Sequence, residues 1–329
     1  MNAALTRPAE PTPAPAAPPQ IPDWVDRAAY PFEHRWAKLP AGWMHYLNEG
    51  SGQPILFVHG TPTWSFEYRH LVRALRDRFR CVAPDHFGFG LSERPSQLRY
   101  SAEEHAENLA RFVDHLGLAS FDLLVHDFGG PIGLPLALAG TGRVRRLVLL
   151  NTWLWRFDDD ADMRRKARIA GSGLGRFLYR RFNFSLKVLT PSAYGDRRKL
   201  TPEIHRQYLA VFPDADAREK VLWALARAML GEGDFYESLW RQRARLRDLR
   251  TLIVWGLTDT AFRPSQLERW KGVLPGAEVV ALPHAGHWPH HAKGITVTGS
   301  PTAQPDTPCP MASIRPDISW PMMAGGCAR

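Results

Sequence analysis

The sequence predicts an α/β fold in which a mostly parallel central sheet is flanked by helices and interrupted by one helical insertion. Three observations carry that prediction. Seven short apolar runs recur along the chain, stretches of helical period separate several of them, and the strand rhythm stops for about a hundred residues in the middle.

Residues 1–22 are rich in Pro and Ala (PAEPTPAPAAPPQIP), cannot bury a core, and are expected to form a disordered tail. The runs MHYL (44–47), ILFV (55–58), CVAP (81–84), DLLVH (122–126), RLVLL (146–150), TLIVW (251–255) and EVVAL (278–282) follow. They are short, rich in β-branched residues and nearly continuous, the pattern of strands buried on both faces. Residues 65–77, 102–116 and 129–139 have helical period, and Ser101 with Glu104 three positions later reads as a capping box. After RLVLL the chain turns to Arg- and Leu-rich helical sequence until TLIVW. The predicted organisation is therefore a core formed by 23–154 and 250–291, with residues 155–249 as a helical insertion. Residues 292–329 are rich in Pro, Gly, Ser and Thr where such a fold would end in an amphipathic helix. They are expected to be an atypical, poorly ordered tail, of the kind a replacement segment or a change of reading frame near residue 291 would leave.

Composition narrows the function. With 44% hydrophobic and 23% charged residues the chain is globular, and no run approaches the roughly 18 apolar residues of a membrane span. Cys81, Cys309 and Cys327 offer neither zinc spacing nor an even disulfide framework, so a reducing, cytoplasmic location is expected. The net charge of +9 sits mostly between Arg156 and Arg250, where 21 Lys and Arg face 13 Asp and Glu. No nucleic-acid motif accompanies it, and runs such as Arg241, Arg243, Arg245 and Arg247 read as solvated helix faces. No nucleic-acid or membrane partner is expected.

In parallel sheets ligands bind beyond the carboxyl ends of the strands, so the polar residues there are the candidates. Asp127, in LLVHDFGGPIG, stands between a buried strand and a helix opening with Gly129 and Gly130, where a tight turn would present a nucleophile and the helix N-terminus would favour an anion. His59 opens FVHGTPTWSFEYR, a loop in which the Thr61 N–H could join that of Phe128 in an oxyanion hole. Asp259 in VWGLTDTAF and His287 in LPHAGHWPHH follow late strands, completing the order nucleophile, acid, histidine. His287 with His290 or His291 has helical ligand spacing, but three converging ligands are not identifiable and no metal is assigned.

These pieces, with APDHFGFGLSERP (83–95), resemble the haloalkane dehalogenases and their relatives in the α/β-hydrolase superfamily over about residues 30–290. The resemblance implies an α/β-hydrolase core with residues 155–249 as its helical cap, Asp127 as nucleophile, His287 as general base and Asp259 as its orienting acid. Asn151 stands where one branch of the family places Glu, which favours Asp259. The implied chemistry needs no cofactor: Asp127 displaces halide from a small apolar organic substrate, and water activated by His287 hydrolyses the resulting ester.

Two positions depart from the family. Where a Trp usually follows the nucleophile and an Asn often stands in the HG-x-P loop, both donating to the departing halide, this chain has Phe128 and Thr61. Trp64, Trp153 and Trp155 are the candidate pocket residues, with Trp153 or Trp155 as replacement donor or, more simply, as packing at the cap hinge. The same nucleophile also serves epoxide hydrolases, expected to carry paired cap tyrosines (from Tyr179, Tyr194, Tyr208 and Tyr236), and β-lactone decarboxylases. A non-catalytic relative is the further alternative, and the oligomeric state is left open.

Overall fold

The computed structural model describes residues 17–291, together with the backbone of 296–298 and 313–315. Eight strands form one sheet: β1 (His34–Leu39), β2 (Gly42–Glu49), β3 (Pro54–Val58), β4 (Arg80–Pro84), β5 (Phe121–Asp127), β6 (Val144–Thr152), β7 (Arg250–Gly256) and β8 (Glu278–Leu282). Their spatial order is β1-β2-β4-β3-β5-β6-β7-β8. The first three in that order pair antiparallel, and every pairing from β4 onward is parallel. Parallel neighbours require crossovers, and the helices α1 (Arg69–Leu75), α2 (Ala102–His115), α3 (Gly129–Leu138) and α11 (Pro264–Val273) supply them.

Each apolar run seen in the sequence lies in a strand, and β5, between β3 and β6, is buried at every position. Three details differ. β1 (HRWAKL) alternates exposed and buried residues, so it carries no continuous apolar run; it pairs on one side only, with β2. β8 was expected to be covered on both faces, but as the other edge of the sheet it leaves Glu278, Val279 and Ala281 exposed. The helix expected over 65–77 begins as a 3₁₀ turn at Ser65–Tyr68 before α1. At α2 the Ser101 hydroxyl accepts the Glu104 N–H as a capping box requires, but the Glu104 carboxylate reaches further back, to the N–H groups of Arg99 and Tyr100.

Between β6 and β7 the chain is helical: α4 (Ala161–Gly171), α5 (Gly173–Phe182), α6 (Thr190–Ala193), α7 (Pro202–Leu209), α8 (Ala215–Ala217), α9 (Ala224–Gly231) and α10 (Gly233–Arg241). Ser185–Leu189 and Arg218–Trp223 are wound as π turns, and Ser185, Leu189 and Leu222 from them reach the cavity described below. Arg263 ties this insertion to the core through the Asp160 carboxylate at 2.7 Å. At the N-terminus Ile21, within the expected tail of 1–22, already packs on the core beside Trp24. Residues 1–16 and 292–329, apart from the backbone of 296–298 and 313–315, lie outside the described residues, as do the expectations made for them. No helix among the described residues is long and apolar enough to cross a membrane.

The sheet leaves little room at one corner of α3. A Cβ on Gly129 would strike the Val58 carbonyl, whereas one on Gly272, exposed near the end of α11, would meet nothing. Gly129→Ala is expected to cost about 1–3 kcal/mol through overpacking against backbone. Gly272→Ala should instead be neutral or stabilising by up to about 1 kcal/mol. Urea unfolding midpoints of the two variants check both.

Candidate active site

Asp127 ends β5 with φ of 53°, a left-handed conformation that turns its side chain out of the sheet just before Phe128, the N-cap of α3. The turn is possible because its neighbours are small. A Cβ on Gly60 would collide with the Asp127 carboxylate, and one on Gly130 with the Thr152 hydroxyl. That hydroxyl donates to the Asp127 carbonyl at 2.5 Å and pins the strained residue to β6.

The two carboxylate oxygens of Asp127 have different surroundings. Oδ1 accepts the Thr61 N–H at 2.8 Å, while Oδ2 faces His287 Nε2 at 3.5 Å. His287 Nδ1 donates to Asp259 Oδ2 at 2.8 Å, and because a carboxylate only accepts, the proton on Nδ1 is fixed and Nε2 is the nitrogen turned toward Asp127. Asp259 is oriented in turn: its Oδ1 accepts the Ala261 N–H at 2.7 Å and its Oδ2 the Asn151 amide at 2.8 Å. Asn151 also accepts the Gly256 N–H at 2.8 Å, so its side chain bridges β6 and β7 beneath the acid.

Burial pushes the His287 imidazole down, but the carboxylates of Asp259 and Asp127 outweigh it and lift the imidazole to about 10. Burial would raise the Asp259 carboxyl; the opposing charge and hydrogen bond of His287 hold it below the usual carboxylate range. Asp127, Asp259 and His287 thus meet as an imidazole shared by two buried carboxylates. His59 does not join them: its Nδ1 bonds the Gly60 carbonyl and its Nε2 accepts the His86 N–H, so it braces the turn.

Asp127 and His287 face a cavity of about 400 Å³ between the core and the insertion. Thr61, Phe128, Trp153 and Phe262 line it from the core, with Met163, Leu178, Leu222 and Met229 from the helices above. The three tryptophans proposed for this pocket separate. Trp64 is buried elsewhere, its Nε1–H spent on the Gln207 carbonyl and its ring packed on Trp24, Tyr30 and Phe66. Trp155 packs edge-on against Trp240 and Trp270 with the Arg269 guanidinium over its face, behind the cavity wall. Only Trp153 of the three lines the cavity; it stacks on Phe262 and meets Phe128 edge-on, and its buried Nε1–H has no hydrogen-bond partner. An unsatisfied buried donor in the same cavity wall as Asp127 is a group that a ligand can satisfy.

Several contributors escaped the sequence reading. Glu67, fully buried, accepts the Thr63 hydroxyl at 2.6 Å and the Trp288 Nε1–H at 3.2 Å, and lies 3.3 Å from His126 Nδ1. Their positions are unremarkable in the sequence, and the fold alone brings them together. Of the four tyrosines weighed for epoxide opening, Tyr179 lines the cavity; Tyr194 and Tyr236 bond His291 and the Ala228 carbonyl away from it, and Tyr208 is buried elsewhere. Among the described residues no cluster of three metal-ligating side chains occurs.

The α/β hydrolase fold family model matches residues 53–293. Haloalkane dehalogenase 2 of Mycobacterium tuberculosis is 42% identical over 265 residues, covering 80% of this chain and 91% of that protein. A cis-3-alkyl-4-alkyloxetan-2-one decarboxylase of Shewanella oneidensis is 33% identical over 78% of this chain and 83% of its own length. Among solved structures, haloalkane dehalogenase DbeA from Bradyrhizobium elkani matches with a TM-score of 0.69 and 26% identity, over 78% of this chain and 91% of that one. Haloalkane dehalogenase DatA from Agrobacterium tumefaciens matches with a TM-score of 0.70 and 25% identity, over 79% and 92%.

A pH dependence follows from the shared imidazole. A histidine raised from 6.5 to about 10 on folding contributes stability that is complete below pH 6.5 and is lost as pH rises toward 10. Thermal melts should therefore show the parent losing stability across this window, and His287→Phe should lack that part of the slope.

Proposed function

We propose that this chain, which belongs to the haloalkane dehalogenase-like branch of the α/β-hydrolase family, hydrolyses a carbon–halogen bond in a small apolar organic halide. The observation that carries the reading is the division of labour at Asp127. One carboxylate oxygen is held by the Thr61 N–H and the other is turned toward His287 at the floor of an apolar cavity.

In the first half-reaction Asp127 Oδ2 attacks the carbon bearing the halogen; the C–O bond forms as the carbon–halogen bond breaks, and halide leaves with the bonding pair. Phe128 has no side-chain donor, and at the family's Asn position Thr61 offers a hydroxyl in place of an amide, so the Trp153 N–H, buried at the cavity wall without a partner, takes the developing negative charge. Esterification also removes the negative charge of Asp127. One of the two carboxylates that raise His287 disappears, and the imidazole is released to act as a base.

In the second half-reaction His287 Nε2 takes a proton from water, whose oxygen adds to the Asp127 carboxyl carbon. The negative charge on the former Oδ1 is met by the N–H groups of Thr61 and Phe128. Collapse breaks the bond from carboxyl carbon to ester oxygen, the imidazolium returns its proton to the departing alcohol, and Asp127, left as the free acid, gives up its proton to solvent. Asp259 keeps the proton on Nδ1 and stabilises the imidazolium throughout. No step calls for a cofactor. Residues 155–249 serve as the cap that excludes bulk water, and the apolar lining sets the substrate class. The proposed location is the cytoplasm, which suits the free, buried Cys81, whose thiol burial pushes up to about 12.

Two results test this reading. Incubated with a 1-bromoalkane, His287→Phe should release one equivalent of bromide and gain the mass of the alkyl group on the peptide containing Asp127. An adduct from a β-lactone but from no haloalkane would move the substrate to that of the decarboxylase relatives. Trp153→Phe should lower kcat/KM about 10- to 100-fold for bromide substrates, the effect of losing one charge-stabilising donor. The loss should be smaller for iodides, which leave more readily, and steady-state kinetics on paired bromo- and iodoalkanes measure the difference.

A further inference from the structure

Behind the triad lies a second acid–imidazole pair that takes no part in the chemistry just described. Glu67 Oε2 accepts the Thr63 hydroxyl and the Trp288 Nε1–H, and Oε1 faces His126 Nδ1 at 3.3 Å. His126 Nε2 in turn lies 2.8 Å from the His287 carbonyl, which can only accept, so this nitrogen is the donor. The backbone carbonyl of Glu67 receives His291 Nε2 at 2.8 Å. One buried residue therefore touches the loop carrying Thr61, the residue before the nucleophile, and the segment carrying His287. His126 also stands ring to ring with His287 at 4.7 Å.

We propose that Glu67 and His126 are positioning residues, a buried clamp that holds the main chain of His287 so that Nε2 is aimed at the water attacking the Asp127 ester. Burial would raise the Glu67 carboxyl, but the His126 imidazole, with His59 and the Thr63 hydroxyl, outweighs it and holds the group at about 2, so Glu67 stays ionised across the working pH range. Both ends are set. Glu67 fixes the ring of His126 through Nδ1, and the ring delivers Nε2–H to the carbonyl of the general base, as outer partners orient ligands and bases elsewhere.

The inference rests on the reaction proposed above and makes a selective demand. Alkylation of Asp127 needs no base, whereas ester hydrolysis needs His287 in place, and misplacement of about 1 Å costs on the order of a hundredfold. A clamp acting through His287 must therefore slow the second step and spare the first.

The test compares His126→Asn with His126→Gln. Asn can reproduce the contact of Nδ1 with Glu67 but cannot reach the His287 carbonyl; Gln can reproduce the Nε2–H donor. Rapid-quench halide release gives the alkylation rate, and mass spectrometry of the Asp127 peptide follows ester decay. His126→Asn should alkylate within about threefold of the parent, hydrolyse the ester at least about tenfold more slowly, and accumulate ester at steady state. His126→Gln should restore most of the hydrolysis rate. Glu67→Leu, which keeps His126 but removes its partner, should fall between and carries the same comparison if His126→Asn does not fold. Equal slowing of both steps, or hydrolysis unchanged in His126→Asn, overturns the clamp. Absence of ester in His287→Phe as well would overturn the reaction reading, and the clamp with it.

Discussion

The site depends on a single backbone strain: Asp127 in a left-handed conformation at the end of the most buried strand of the sheet. Such a residue costs on the order of 1–3 kcal/mol and persists only where its surroundings over-determine it. Here they do. The register between β5 and β6 shifts between His126 and Asp127, Thr152 grips the strained carbonyl, and glycines stand where any side chain would collide. A relaxed Asp127 would lower its carboxylate toward the sheet and lose both the Thr61 N–H and the approach of His287. The glycines around the elbow are therefore conditions for one dihedral angle, more than a feature of the loops that contain them.

A second regularity concerns buried charge. Glu67, Asp85 and Asp259 are fully or almost fully buried, and each faces a histidine: His126 at 3.3 Å, His45 at 2.7 Å and His287 at 2.8 Å. Asp122, at the opposite end of β5 from Asp127, pairs instead with Arg146, whose guanidinium reaches the surface. An imidazole is short enough to fit inside a close-packed interior and can bond on two sides, so a buried carboxylate gains a partner that also reaches a backbone carbonyl (His126), a second acid (His287) or another imidazole (His45, toward His34). At the strand end near solvent an arginine serves, because its stem can cross to water.

The strands, the placing of Asp127, Asp259 and His287 just beyond their carboxyl ends, and the helical stretch between β6 and β7 were legible in the sequence because each leaves a local trace. A buried parallel strand is a run of β-branched residues, and a reactive residue at its carboxyl end follows that run directly. β1 left a weaker trace, since an edge strand with one wet face shows alternation instead of a run. Trp153, Trp155 and Trp64 were indistinguishable as letters: two residues along the chain separate a ring that lines the cavity from one that packs behind it. Glu67 and His126 were illegible for a different reason. A charged residue in a helical stretch reads as solvent-facing, and its burial beside the residue preceding the nucleophile is set by the pairing of β3 with β5, a contact between segments about sixty residues apart.

The amide of Asn151 has a consequence for how such sites change over time. It occupies the end of β6, bonded to the Gly256 backbone and to the very oxygen of Asp259 that receives His287. The resemblance noted in the sequence puts a Glu at this strand end in another branch of the family. Two neighbouring strands thus offer two seats for one acid, and the vacant seat is kept in shape by a neutral side chain already engaged with the occupied one. Because the Asn151 amide donates to the same Asp259 oxygen that receives His287, a carboxylate at residue 151 would set two like charges against each other, so the two seats exclude one another and a change of seat requires both positions to change together.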